Sequence, residues 1–463
     1  MLEAWLERIN SFVWGVPLIA LIMCVGIYLT LRLKLLQVLH LPKALRCIFE
    51  KEKGAGGDVS AFGALCISLS ASLGTGNIVG VATAVTAGGP GAIFWMLVAA
   101  FFGMATKYAE GVLAVKYRQK GKDGYIGGPF CYIEYGMGKK FKWLAKAFAF
   151  FGACAGALGI GTITQISGIT AAARDFFDPA AKNIAFTLFG NSYTTAEVIT
   201  GAIVTLLAGA VLIGGVKRIA AVSEFFIPLM SFIYIFICLT ILLSNANQLI
   251  PAVGLIIRGA FNPKAVTGGV IGSFFTAMQT GFARGVFTNE SGLGSAPMAA
   301  AAAKSSSCVK QGLVSMTGTF IDTMVMCTIT GLCIMVTGTW QSTSLQGVQL
   351  TAQTFKQGIN FLPDRVCEGL LALCLAFFAF STIIGWNYYA KRCAEYFVNG
   401  NPTLLKAYTY FYIAAVGLGT YLPLAAVWSL ADIFNALMAL PNLIALLALS
   451  GVVVKETNRY FKG

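Results

Sequence analysis

The chain reads as an all-α polytopic membrane protein of about eleven transmembrane helices, arranged as a five-plus-five inverted repeat behind one extra N-terminal helix. Three observations predict this. Hydrophobic residues make up 57% of the sequence and charged residues 11%, whereas soluble domains carry roughly 25% charged residues. The apolar runs reach the roughly 20 residues that cross a bilayer as a helix. Two of those runs are interrupted by glycine and polar residues, and they lie five spans apart.

Composition also sets aside other classes. The formal charge of +14 raises the question of nucleic acid, but the Lys and Arg residues sit in short clusters between apolar runs, with no solvated domain behind them. The bilayer is the partner this pattern fits. The twelve cysteines form no CxxC pair, and Cys66, Cys154, Cys238, Cys327, Cys333 and Cys374 lie inside apolar runs, as small packing residues do. The lone histidine, His40, has no second ligand and suggests no metal centre. At the N-terminus, Glu3 and Glu7 precede a long apolar run from Phe12 to Leu31. That pattern fits a retained helix better than a cleaved signal.

Hydropathy places spans near 11–31, 59–87, 91–117, 147–173, 196–214, 222–243, 263–287, 312–338, 366–390, 405–427 and 431–455. The connections after the odd-numbered spans, with the tail, hold 22 Lys and Arg residues against seven on the opposite side. The first holds Arg32, Lys34, Lys43, Arg46, Lys51 and Lys53; the next holds Arg118, Lys120, Lys122, Lys139, Lys140 and Lys142. Lys264 is among the seven opposite. Cations accumulate on the cytoplasmic side, so the N-terminus is expected outside and the C-terminus in the cytoplasm. An odd number of spans agrees.

The second span contains Ser70-Ala-Ser-Leu-Gly-Thr-Gly-Asn77, in which Gly74 and Gly76 bracket a hydroxyl. Each Gly costs a helix about 1 kcal/mol relative to Ala. The seventh span has a comparable interruption at Gln279-Thr280-Gly281-Phe282. One such helix is explained equally well by close packing at glycine. Two, an odd number of spans apart, cross in opposite directions, which is the mark of inverted repeats with ligands bound where the broken helices meet. The expected division is 1–58 for the extra helix and its basic connection, 59–262 for the first repeat, and 263–463 for the second repeat and tail.

Direction gives each half-helix a sign. The first half of the second span ends with free carbonyls around Ser70 to Leu73, a negative end suited to Na⁺ or an ammonium group. The second half begins with free N–H groups around Gly76 to Ile78, suited to a carboxylate. Unpaired backbone at this depth must line a cavity. A free α-amino acid with a small cation satisfies both ends.

Other intramembrane polar groups are less decisive. Gln165, flanked by Thr162 and Thr164, either bonds a neighbouring helix or meets a ligand. The Phe378 carbonyl and the Ser381 and Thr382 hydroxyls share one helix face and offer oxygens to a hard cation, although such hydroxyls often back-bond to their own helix. Trp386 lies a turn further on and either walls a pocket or fills space. Asp322 is a proton site or, the favoured reading, a structural partner for a cation such as Arg284. Lys107 and Glu110 read as a local i,i+3 ion pair. Gly-Thr-Gly-Asn-Ile-Val-Gly at 74–80 is not a dinucleotide fingerprint, because no strand precedes it and its third glycine is misplaced.

Ser70-Ala-Ser-Leu-Gly-Thr-Gly-Asn-Ile-Val-Gly-Val-Ala82, Gly88-Gly-Pro-Gly-Ala-Ile-Phe-Trp-Met96, Gly103-Met-Ala-Thr-Lys-Tyr-Ala-Glu110, Gly281-Phe-Ala-Arg-Gly-Val-Phe-Thr-Asn-Glu-Ser-Gly-Leu-Gly-Ser-Ala-Pro297 and Phe380-Ser-Thr-Ile-Ile-Gly-Trp386 closely resemble the alanine/glycine:cation symporter family, over nearly the whole chain. Leu97 departs from the pattern, which leads one to expect a second Trp there. The resemblance implies a leucine-transporter-like fold and Na⁺-coupled uptake of small neutral amino acids such as alanine and glycine. It implies substrate contacts from Thr75, Gly76 and Asn77, with Gln279, Thr280, Gly281 and Phe282 from the second broken helix and Gln165 and Trp386 as pocket residues. It also implies one sodium among Ser70, Leu73, Phe378, Ser381 and Thr382. No organic cofactor is implied.

Competing classes fare worse. An enzyme needs a nucleophile with its base, or a metal cluster, inside the spans, and His40 alone supplies neither. A channel wants rings of like residues around a pore, which unequal inverted halves do not provide. Proton-coupled symport through Asp322 is the nearest variant.

Overall fold

A computed structural model describes residues 2–50, 56–121, 124–188, 191–261, 274–342, 345–422 and 424–462. Lys51, Lys53, Lys122 and Lys264 of the charge bias lie outside these residues, as does the beginning of the span expected at 263–287.

Helices α1 (Leu2–Val13) and α2 (Val16–Arg32) open the chain, with a proline in the first turn of α2, where a missing N–H costs nothing. Short helices α3 (Leu36–Leu39) and α4 (Leu41–Cys47) follow. The Ser60 hydroxyl caps α5 (Ala61–Ser72) by accepting from Gly63 N at 2.8 Å. The chain then leaves helical geometry, resumes as a π turn at Gly76–Gly80 and continues as α6 (Val81–Gly88), bent by 55° from α5. Helix α7 (Gly91–Lys116) leads to an antiparallel hairpin, β1 (Gln119–Gly121) and β2 (Gly124–Ile126), then α8 (Pro129–Cys131) and a π turn at Tyr132–Met137. Helices α9 (Lys142–Leu158) and α10 (Ile163–Phe177) precede a second hairpin, β3 (Ile184–Leu188) and β4 (Asn191–Thr194). A reciprocal Thr194–Glu197 capping box starts α11 (Thr195–Leu212), and α12 (Gly215–Ser244) and α13 (Leu249–Phe261) follow.

The second part of the chain holds α14 (Phe274–Asn289), α15 (Pro297–Ala302) and α16 (Cys308–Thr319), which runs through a π segment at Phe320–Cys327 into α17 (Thr328–Val336). It ends with α18 (Gly347–Gly358), α19 (Asp364–Phe397), α20 (Pro402–Gly419) and α21 (Leu424–Lys462). Helix is found, among the described residues, within each position where a span is expected. Among the described residues, seven helices are long and apolar enough to cross a membrane, and α5 with the π turn and α6 makes an eighth as one bent span. Helices α13 and α18 are additional elements that hydropathy did not separate.

Helix α7 packs against α14 and α16, and α19 packs against α5, α9 and α10. Small residues permit the closest crossings: a Cβ on Gly111 would lie 2.5 Å from Ser315 Oγ and 3.0 Å from Gly312 Cα. Two faces of the bundle are defined by side-chain links. Lys116 at the end of α7 pairs with Glu456 near the end of α21 at 2.8 Å, which marks the C-terminal face. On the opposite face, Trp14 Nε1 donates to the Asp432 carbonyl at 2.6 Å near the start of α21.

Candidate functional site

The break after α5 is held open by its own polar residues. Leu73 is extended (φ −71°, ψ 93°), so the next N–H cannot continue the helix ladder. That N–H, on Gly74, donates instead to Asn77 Oδ1 at 3.0 Å. The Asn77 amide donates in turn to the Asp322 carboxylate Oδ1 at 2.9 Å and the Asp322 carbonyl at 3.1 Å. Asn77 is therefore fully buried and spent on shaping the break. It does not line the adjacent cavity.

Opposite the break, α19 presents a face of oxygens. The Ser381 and Thr382 hydroxyls lie 2.8 and 3.0 Å from the Phe378 carbonyl, and 3.5 and 3.4 Å from the Leu73 carbonyl. Four neutral oxygens thus converge from two helices, a donor set that suits a small hard cation. Ser70 is buried a turn earlier, its hydroxyl donating to Ile67 O at 2.7 Å. Here α5 crosses α19 so closely that a Cβ on Gly385 would lie 2.4 Å from Ser70 Oγ.

Immediately beyond the oxygens, Thr75 and Gly76 line a cavity of about 450 Å³ shared with Thr164, Gly168, Arg284 and Phe287. It reaches Asp175, whose side chain is 57% exposed, and so opens on the face opposite the C-terminal one. Gln165 stands beside it in the first turn of α10. Its Nε2 donates to Ile160 O at 3.0 Å, while its buried Oε1 has no partner. A Cβ on Gly74 would lie 3.8 Å from that oxygen and 2.6 Å from Thr382 Oγ1. The free amide oxygen thus faces the region between break and oxygen cluster.

The second break is not at Gly281. Helix α14 continues through Gly281 to Asn289, and a Cβ on Gly281 would lie 2.5 Å from Trp95 Cβ and 2.6 Å from Ala92 O. This glycine allows close packing on α7. Gln279 is exposed, Thr280 is half-buried beside Gly88, and the Phe282 ring packs at 5.3 Å from Trp95. None of Gln279, Thr280, Gly281 and Phe282 lines the cavity; Arg284 and Phe287 of the same helix do. The helix ends where Glu290, Gly292 and Gly294 take left-handed φ values of 56°, 86° and 81°. Three such residues in five cannot sit in a right-handed helix.

Buried carboxylates fasten this second break. Glu290 accepts from Trp386 Nε1 at 2.8 Å and from Ser295 Oγ at 2.5 Å. Trp386 is therefore a buried pillar between α19 and the break, outside the cavity lining. Glu110 accepts from Asn442 Nδ2 at 2.7 Å, and the same amide donates to Gly292 O at 2.9 Å. The expected Lys107–Glu110 contact gives way to this bond, although Lys107 is buried nearby. Asp322 accepts from Thr323 Oγ1 at 2.7 Å, and Thr323 Oγ1 accepts from Asn289 Nδ2 at 3.1 Å. Asp322 thus links the two breaks and is not the partner of Arg284. Arg284 instead shares the cavity wall with Asp432.

A third interruption was not expected. Between α9 and α10, residues 159–162 leave the helix, with Gly159 at φ −146°, ψ −116° and Thr162 at φ −135°, ψ −83°. A Cβ on Gly159 would lie 2.4 Å from Ala431 Cβ, and one on Gly161 would lie 2.5 Å from Trp386 Cβ. The signal was present in Gly159-Ile-Gly-Thr162, which repeats the glycine–x–glycine–polar pattern of 74–77.

A family model described as the sodium:alanine symporter family matches residues 1–463. The chain is 46% identical over 466 residues to the sodium/alanine symporter AgcS of Methanococcus maripaludis, covering 98% of this chain and 96% of that protein. It is 36% identical over 452 residues to the probable sodium/glutamine symporter GlnT of Bacillus subtilis, covering 97% and 89%. Among solved structures, MhsT in complex with L-phenylalanine matches with a TM-score of 0.54 at 13% identity, covering 87% of this chain and 99% of that one. That likeness establishes the leucine-transporter-like fold alone.

Proposed function

This chain belongs to the sodium:alanine symporter family, and from that premise we propose that it couples Na⁺ entry to uptake of small neutral amino acids, alanine and glycine foremost, by alternating access. Membership makes it a multi-pass membrane carrier of amino acids and not an enzyme. The loop cations favour a cytoplasmic C-terminal face in the inner membrane, so the cavity at Thr75 opens outward. The inverted repeats are 59–262 and 263–463, with 1–58 as the addition.

One observation carries the reading: the Leu73 and Phe378 carbonyls and the Ser381 and Thr382 hydroxyls converge beside the cavity bordered by Thr75 and Gly76. Na⁺ among those oxygens neutralises the negative end of α5. The N–H groups that open the following half-helix receive the substrate carboxylate. The unpartnered Gln165 oxygen accepts from its ammonium group. Each ligand stabilises the break in the form the other needs, which is the thermodynamic content of coupling. The tight wall of Thr75, Gly76 and Gly168 favours small side chains.

The second reading is proton-coupled symport through Asp322, favoured by the direct bond between this buried carboxylate and Asn77 in the break. Purified protein in liposomes separates the two. An imposed inward Na⁺ gradient is expected to drive alanine uptake at constant pH. Uptake driven only by a pH gradient would transfer the coupling role to Asp322.

A further inference from the structure

The cavity opens on the face of Asp175, and on the other face the two broken helices are stitched together. Ahead of α5, Asp58 N and Val59 N both donate to Ala302 O, at 2.8 and 3.2 Å. Lys304 N donates back to Val59 O at 2.7 Å, and Ser305 N donates to Gly56 O at 3.4 Å. Val59 and Ala303 form a parallel bridge, the one isolated bridge among the described residues. Close approach requires glycine: Gly57 has φ +152°, and a Cβ there would lie 2.4 Å from Lys304 N.

Arg118, two residues beyond α7, lies across this seam. One terminal nitrogen donates to the carbonyls of Ala301 at 3.0 Å and Ala303 at 2.7 Å. The other donates to Gly56 O at 2.8 Å and Ser305 O at 3.3 Å. A guanidinium holds its donors in a rigid planar fork, and here the fork engages the end of α15 and the approach to α5 at once. Carbonyls at a helix C-terminus lack intrahelical partners and favour a cation. The guanidinium also lies 4.5 Å from the Tyr125 ring centroid, and Tyr125 N donates to Asp58 Oδ2 at 2.8 Å. The β1–β2 hairpin therefore straps the seam from outside.

We infer that Arg118 is the lock of the inner gate, the residue whose four carbonyl contacts hold the cytoplasmic ends of the two broken helices closed while the cavity faces outward. Every acceptor in the seam is backbone, or the half-buried Asp58 carboxylate, and water replaces the fork when the seam parts. The lock is thus reversible, because parting the seam hands these carbonyls to water. Its main remaining contact, Tyr125, belongs to its own hairpin, so Arg118 can leave both helices with that strap once the bond from Tyr125 N to Asp58 also parts. The inference rests on alternating access, but not on which ion drives it.

Two measurements test it. In the first, hydrogen exchange is followed by mass spectrometry on the reconstituted full chain, with Arg118→Gln and Arg118→Lys beside the unmodified protein. Arg118→Gln is expected to raise exchange at 58–59 and 302–305 roughly tenfold while α7 is unchanged, and to weaken external alanine binding in proportion to the outward-facing fraction that is lost. Arg118→Lys, which keeps the charge and loses the fork, falls between. Unchanged exchange and unchanged external affinity in Arg118→Gln overturn the inference.

The second leaves Arg118 in place. Val59→Cys with Ala303→Cys sits at a bridge pair, within disulfide reach. Oxidation is expected to abolish uptake while external alanine binding persists, and reduction to restore uptake. Undiminished uptake by the cross-linked protein overturns the gate assignment. If the reduced protein binds alanine but no Na⁺ gradient drives its uptake, the sodium reading fails, and the exchange measurement still decides the lock.

Discussion

Asn77 donates its side-chain amide to the Asp322 carboxylate at 2.9 Å, across 245 positions of sequence. This bond joins the first break to the segment that also holds the second, because Thr323, bonded to Asp322, receives Asn289. Ligand-induced movement at Thr75 and Gly76 therefore has a direct mechanical route to the other broken helix.

Asp322→Ala is expected to remove the carboxylate acceptor of the buried Asn77 amide, leaving it the Asp322 carbonyl alone on that residue, at a cost of about 1–3 kcal/mol, and to abolish uptake. Asp322→Asn keeps an acceptor for Asn77 and is expected to retain slowed, Na⁺-driven uptake. Thermal unfolding in detergent and uptake under a Na⁺ gradient check both. Loss of all Na⁺-driven uptake in Asp322→Asn, with stability intact, would speak for proton coupling.

Thr382→Ala removes one of four converging oxygens. Expected is a roughly tenfold rise in the Na⁺ concentration for half-maximal uptake, equivalent to about 1.4 kcal/mol. Uptake at saturating Na⁺ should show an unchanged KM for alanine, and Thr382→Ser should recover most of the loss.

Phe287 lines the cavity and Gln279 does not. Phe287→Ala is expected to raise the KM for alanine roughly fivefold, through lost binding common to ground and transition states. Gln279→Ala should leave KM unchanged. Equal effects from the two would place the substrate higher along α14 than the cavity at Thr75.

Gly281→Val drives a larger side chain into Trp95 and Ala92. Overpacking of this kind costs about 1–3 kcal/mol, and the expected result is a lower Tm with unaltered KM in the protein that folds. A KM change without a Tm change would restore Gly281 to the substrate site.

These contrasts mark how far local sequence carries. The first break is legible because its signal is local: two glycines, a hydroxyl and an Asn that caps Gly74 three residues back. The oxygen face of Phe378, Ser381 and Thr382 follows from helical periodicity alone. Gly281 misleads because glycine weakens a helix and permits close packing equally well, and only the neighbouring α7 decides between them. The real second break, with left-handed Glu290, Gly292 and Gly294, lies within the Gly281–Pro297 motif. Its stabilising partners Trp386, Asn442 and Glu110 come from three distant helices. Arg118 looks in sequence like any loop cation counted toward orientation, and only the fold brings it across the seam.

Equilibrium binding of radiolabelled alanine to purified protein, titrated with Na⁺ against K⁺ at constant ionic strength and pH, tests the central claim most directly. If Na⁺ at Leu73, Phe378, Ser381 and Thr382 organises the break that receives the substrate, alanine affinity rises with Na⁺, and the Thr382→Ala curve shifts to higher Na⁺. Alanine binding that is equally tight in K⁺, or a Thr382→Ala curve that overlays the unmodified protein, would contradict it.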